Sequence, residues 1–129
     1  MKPLTFIVEK TSTGFSAYAE DFDKYPVGTT GQTVMELKSN ILDAVNLHLY
    51  HHKGRSVEAD DIILKYDLSN FFEFYKEINA KSLAKRVGMN QTLLSQYING
   101  KKEPSTKQVY KILQGVRELG KELSDLEIA

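Results

Sequence analysis

Gln91, Thr92, Ser95, Gln96 and Asn99 crowd one short stretch of the chain, with Lys101, Lys102 and Lys107 close behind. A Gln or Asn carboxamide carries a donor and an acceptor side by side, the pair needed to bond N6 and N7 of adenine. Ser and Thr hydroxyls reach a base edge or a phosphate. Lysines just beyond would neutralise backbone phosphates. Asn90, directly ahead, adds one more carboxamide. From Lys76 to Arg117, nine basic residues stand against Glu77 and Glu103, a local balance of +7 in a chain whose 17 basic and 17 acidic residues cancel. Such a segment suits a polyanion, double-stranded DNA above all, although a solvated helix face would carry the same charges.

Other groupings also hold residue types capable of chemistry. Glu20, Asp21 and Asp23 could share a cation, but a two-metal nuclease site gathers its acids from several separated elements, so solvated turn acids fit better. His48 and His52 have the i, i+4 spacing of two ligands on one helix face, and His51 is adjacent. Without an HExxH glutamate or a third ligand, histidines in a helix's last turn, where positive charge is favoured, explain that spacing. With no cysteine, disulfides, thiolate zinc sites and cysteine nucleophiles are excluded. Neither a Ser-His-Asp set nor a phosphate-cradling glycine loop can be assembled. No catalytic residue, metal or cofactor is expected.

The elements that must hold these groups follow from periodicity. At 129 residues, 41% apolar and 26% charged, the chain can form one ordinary domain or two small ones. The run MKPLTFIVEK is too short for a signal-peptide core and no stretch matches a membrane span, so a cytoplasmic protein is expected. Leu4, Phe6 and Val8, then Phe15, Ala17 and Ala19, alternate with other residues and predict a strand pair turned at 11–14, with a short third strand through Val27 to Thr30. Thr33 and Glu36 form a capping box ahead of Val34, Leu37, Ile41, Ala44, Val45 and His48, a helix ended by Lys53-Gly54. Ile62 to Tyr66 is a further strand. The unpaired edges of so small a sheet invite a second copy or another protein.

After Asp67 the period changes from two to 3.6. Ser69 or Asn70 can cap a helix carrying Phe71, Phe72, Phe74 and Tyr75, most of them core, with one face free for the first domain or a second subunit. Asn79 and Asn90 precede two short helices, Asn99-Gly100 stops the second, and Pro104-Ser105 opens a longer one whose Val109, Ile112, Leu113, Val116, Leu119 and Leu123 form an apolar stripe. Between the two short helices, Ala84 is a small residue for a close crossing and Gly88 can take the positive φ of a sharp exit, which together predict a helix-turn-helix. With Val87, Met89, Leu94 and Tyr97 turned inward, Gln91, Thr92, Ser95, Gln96 and Asn99 face outward.

The series Leu83, Ala84, Gly88, Leu94, Ser95, Asn99, Gly100 and Pro104 resembles the helix-turn-helix of phage-repressor-like regulators, with Ile98 where many carry Glu. Gly14, Phe15, Asp21, Gly31, Gln32, Thr33, Asn40, Ile41 and Ala44 resemble the N-terminal domain of HicB-family antitoxins, with Asp23 to Val27 in place of their usual Leu-Pro-Gly-Cys. The resemblance implies an α+β protein. Residues 1–67 would form a small antiparallel-type sheet with one helix, a partial ribonuclease-H-like domain that masks a basic, RNA-cleaving HicA-like toxin. Residues 68–129 would form an all-α helix-turn-helix domain that represses the shared operon. Such a protein would act by sequestration without turnover; charge complementarity with a basic toxin places the expected contact near Glu20, Asp21 and Asp23, and the weak affinity of one short recognition helix predicts a homodimer or higher oligomer on operator DNA. Two rival readings stay open: a stand-alone regulator with a sensing or dimerising first domain, and a nuclease.

Overall fold

A computed structural model describes residues 3–52 and 55–128 of the chain, which divides into two compact units, Met1–Phe74 and Tyr75–Ala129. In the first unit, strands β1 (Leu4–Thr11), β2 (Gly14–Ala19) and β3 (Gly28–Gly31) precede helix α1 (Val34–His51), strand β4 (Ile62–Tyr66) and helix α2 (Leu68–Phe74). The sheet order is β3-β2-β1-β4. The three early strands pair antiparallel, as their period-two runs and tight turn predict. β4 instead joins β1 in parallel, Leu4 opposite Ile62 and Val8 opposite Tyr66, so the sheet is mixed rather than purely antiparallel. A parallel neighbour needs a crossover, and α1 supplies it.

Leu37, Ile41, Val45 and Leu49, four residues apart on α1, lie buried with Leu4, Phe6, Val8, Ala17 and Ala19 of the sheet. The Thr33 hydroxyl accepts from Glu36 N at 3.1 Å, and the Glu36 carboxylate accepts from Gln32 N at 3.3 Å. Two amides then pin the helix: Asn40 Nδ2 donates to Thr30 O at 2.7 Å, while Asn46 donates to Val57 O at 3.1 Å and accepts from Val57 N at 2.7 Å. The predicted helix stop at Lys53-Gly54 lies outside the described residues; α1 is capped at His52, whose N–H bonds Leu49 O and Tyr50 O.

Gly31 is where β3 meets α1. A Cβ on it would stand 2.5 Å from Leu37 N and 2.7 Å from Leu37 Cα, and helix backbone cannot swing aside as a side chain can. Gly31→Ala is therefore expected to cost about 1–3 kcal/mol or more by overpacking, read as a lower urea midpoint. An unchanged midpoint would contradict so close an approach.

α2 belongs to the first unit, beyond the boundary at 67 that the change of period suggests. Lys10 N donates to Asn70 Oδ1 at 2.8 Å, Asp67 N donates to Val8 O at 2.9 Å, and Lys10 Nζ lies 4.8 Å from the Phe74 ring centre. Asp67, rather than Ser69 or Asn70, performs the cap: its carboxylate accepts from Asn70 N at 3.0 Å. Phe72 is buried, Phe71 and Tyr75 are half-buried and Phe74 is exposed.

The second unit holds α3 (Ala80–Val87), α4 (Gln91–Ile98) and α5 (Thr106–Ser124). Its buried apolar residues are Leu83, Ala84, Leu94 and Ile112, joined by Gly115. Val109, Leu113, Val116 and Leu119 of the predicted stripe are half-buried, whereas Leu123 is exposed. No helix among the described residues is long and apolar enough to cross a membrane.

Candidate nucleic-acid interface

The two short helices are built by their caps. Asn79 Oδ1 accepts from Ser82 N at 3.0 Å to start α3. Gly88, at φ 70, stops it in the left-handed conformation, with its N–H returned to Ala84 O and Lys85 O. Asn90 Oδ1 then accepts from Thr92 N at 2.8 Å and Leu93 N at 3.1 Å to start α4. Such caps are each worth about 1 kcal/mol, and here they confine the turn between the helices to Gly88, Met89 and Asn90. Ala84 is buried on α3, which packs against both α4 and α5. On α5, a Cβ at Gly115 would fall on Val87 Cγ1, so any larger residue there would require the Val87 side chain to turn or shift.

With Leu94 buried, the 100° step of the helix leaves Gln91, Thr92, Ser95 and Asn99 exposed and Gln96 half-buried on the same element. Asn99 Nδ2 donates to Ser95 Oγ at 3.4 Å, a long bond that holds two of the polar tips together. Asn90 is exposed, but its carbonyl oxygen is committed to the cap. Gly100, at φ 73, turns the chain after α4, and the backbone N–H groups of Lys101 and Lys102 both reach back to Gln96 O, at 2.9 and 3.2 Å. Both lysine side chains are exposed. Lys107, in the first turn of α5, lines a hollow with Arg86, Tyr110 and Lys111. Tyr110 and Lys111 fall beside Lys107 through their i+3 and i+4 spacing on α5, a local signal, whereas only the folded pair α3–α5 brings Arg86 to the same hollow. Lys111 Nζ also approaches Gly88 O at 3.5 Å.

Arg86 and Glu122 form a two-pronged ion pair between α3 and α5. The guanidinium holds the Glu122 carboxyl below its ordinary value, chiefly through the hydrogen bond, and Arg86 is raised in return. Whatever stability the pair adds is present at neutral pH and is lost as pH falls through the depressed Glu122 value. Both groups are exposed, so that contribution is small.

On the first unit, Glu20, Asp21 and Asp23 are all exposed in the turn after β2. Glu20 pairs with Lys65 at 3.2 Å, and Asp21 Oδ1 accepts weakly from Lys24 N at 3.4 Å. Glu20 and Asp21 line a hollow with Thr5, Lys24 and Tyr25, and Asp23 does not. Between the two aspartates the Phe22 side chain is 51% exposed, an apolar tip that no periodicity in the sequence marks. His48 and His52 stack with ring centres 4.2 Å apart, and His52 Nδ1 lies 2.8 Å from His48 O, an arrangement that closes the last turn of α1. Among the described residues no group of three or more His, Asp or Glu is placed to hold a metal ion.

Residues 76–116 match the family described as helix-turn-helix. The match spans α3, the Gly88 turn, α4 and most of α5, and with the geometry above it supports a DNA-binding transcriptional regulator. Comparison with curated proteins and with solved structures finds no match.

Proposed function

We propose that the chain is an operator-binding repressor that doubles as the antitoxin of a HicA/HicB-like pair. The observation carrying the first part is the outward row of α4, whose polar tips stand on a helix with capped ends inside a strongly basic segment. In this reading Gln91 and Gln96 bond base edges, while Thr92, Ser95 and Asn99 reach bases or phosphates. Asn90 orders the recognition helix at its cap. Lys101, Lys102 and Lys107 take phosphates. One eight-residue recognition helix gives weak affinity alone, and a two-fold dimer reading a palindrome compensates.

Lys101→Ala with Lys102→Ala is expected to weaken operator and unrelated DNA by similar factors. It should also flatten the slope of log K against log salt by about 2, near 0.9 for each phosphate released. Fluorescence anisotropy at several salt concentrations reads both. A slope that does not change removes these lysines from the phosphates.

The antitoxin half draws support from the resemblance of residues 14–44 and from the chemistry of the first unit. Through residue 67 there are ten acidic against seven basic residues. Its exposed acids surround Phe22 beside an open hollow, an acid-rimmed apolar tip suited to a basic protein. Asp21→Lys with Asp23→Lys should lower affinity for the protein encoded beside this gene by about tenfold or more, because like charges would then face each other. Calorimetric titration measures it. Equal affinity excludes these aspartates from the contact, and a neighbour that does not bind the wild-type chain leaves the stand-alone regulator.

A further inference from the structure

Ile112, Val116, Leu119 and Leu123 are spaced alternately four and three residues apart, which keeps them on one side of α5, and Leu126 and Ile128 follow in the segment beyond its end at Ser124. The early members serve the second unit itself: Ile112 is fully buried and Leu119 half-buried. The later ones do not. Leu123 is 57% exposed, Leu126 70% and Ile128 99%. Alongside Leu119 runs a groove whose apolar lining is Ile78, Leu83 and Leu119 and whose charged lining is Glu77, Lys85 and Arg86. A hollow beside α5 is thus followed by exposed apolar residues at and beyond the C-terminal end of that helix.

Charge divides the same way. α3 contains Lys81, Lys85 and Arg86 and no acid, whereas residues 122–128 contain Glu122, Asp125 and Glu127 and no base. Arg86 and Glu122 already pair within the chain, which leaves Lys81 and Lys85 on one side and Asp125 and Glu127 on the other. A single chain does not fill its own groove with this row, since Leu123, Leu126 and Ile128 are all exposed and none of them lines it. A second copy with its α5 antiparallel can. A two-fold axis seats each copy's row in the other's groove simultaneously, acids beside lysines at both ends.

We propose that residues 122–128 of one copy dock in the Ile78–Leu83–Leu119 groove of a second copy, making a reciprocal, self-complementary dimer of the second unit. This takes the dimeric regulator above as its premise and names the surface that pairs. Sedimentation velocity on the full chain from roughly 1 to 100 µM, beside operator gel shifts, tests it. The wild-type chain should be a dimer. Leu126→Glu with Ile128→Glu should raise the dissociation constant by about 100-fold or more at unchanged circular dichroism, since neither residue is in a core. Lys85→Glu should weaken the dimer, and adding Glu127→Lys to it should restore the dimer. A wild-type monomer throughout that range, or a dimer indifferent to the Leu126/Ile128 substitutions, overturns the proposal. So does a Lys85→Glu variant that loses DNA while keeping its mass, which would make phosphate the occupant. Failure of the wild-type chain to bind its operator would count against the regulator reading alone, because the mass measurement stands without it.

Discussion

Replacing Gln91 and Gln96 together by alanine is expected to abolish discrimination between the operator and unrelated DNA while leaving the weak, salt-sensitive binding to any duplex. Each bidentate amide contact is worth about 1–3 kcal/mol of discrimination, so losing two amounts to roughly 30-fold to 10⁴-fold. The reason to expect so clean a result is structural. Gln91 is exposed and Gln96 half-buried, α4 is started by Asn90 rather than by either residue, and alanine is the better helix former. The circular dichroism spectrum should therefore not change. Competitive gel shifts with a scrambled duplex measure the ratio, and a double variant that keeps its preference for the operator would rule out direct reading through these amides.

Ile112→Ala should act at the opposite level, on the integrity of the whole second unit. Ile112 is fully buried, and among the described residues the unit's other buried apolar side chains are only Leu83, Ala84 and Leu94. Removing a buried isoleucine to alanine costs about 2–5 kcal/mol. A unit covering residues 75–129 has, at about 0.05–0.15 kcal/mol per residue, roughly 3–8 kcal/mol to lose. The variant should lose operator binding at physiological temperature and melt earlier in its helical signal. A melt within about 2 °C of wild type would mean that neighbours collapse into the space left behind.

How much of this was legible beforehand depends on how local each cause is. Thr33, Asn79, Asn90 and Ser105 announced their helices because a cap acts within three residues, and the alternation of Leu4, Phe6 and Val8 announced β1 because a pleat has period two. The parallel seat of β4 was not legible, since nothing in Ile62 to Tyr66 says which neighbour it takes. Nor was the home of α2: the change of period marks where a helix begins, while its partner is set by Asn70 meeting Lys10. Gly115 reads locally as a weak point in a helix, and only the approach of Val87 explains it. On the recognition face the residue types were legible. The diversion of Asn90's oxygen into capping and the approach of Arg86 on α3 to Lys107, Tyr110 and Lys111 on α5 required the fold.

The parallel pairing of β1 with β4 also sets a tempo. Leu4 cannot meet Ile62 until the turn strands and all of α1 have been laid between them, so the first unit must close a long loop before its sheet is complete. The second unit closes shorter loops, because α3 meets α4 next to it and α5 just beyond, with Arg86 reaching Glu122 across 36 residues. Released from denaturant, the helical half should reach its final form well ahead of the sheet.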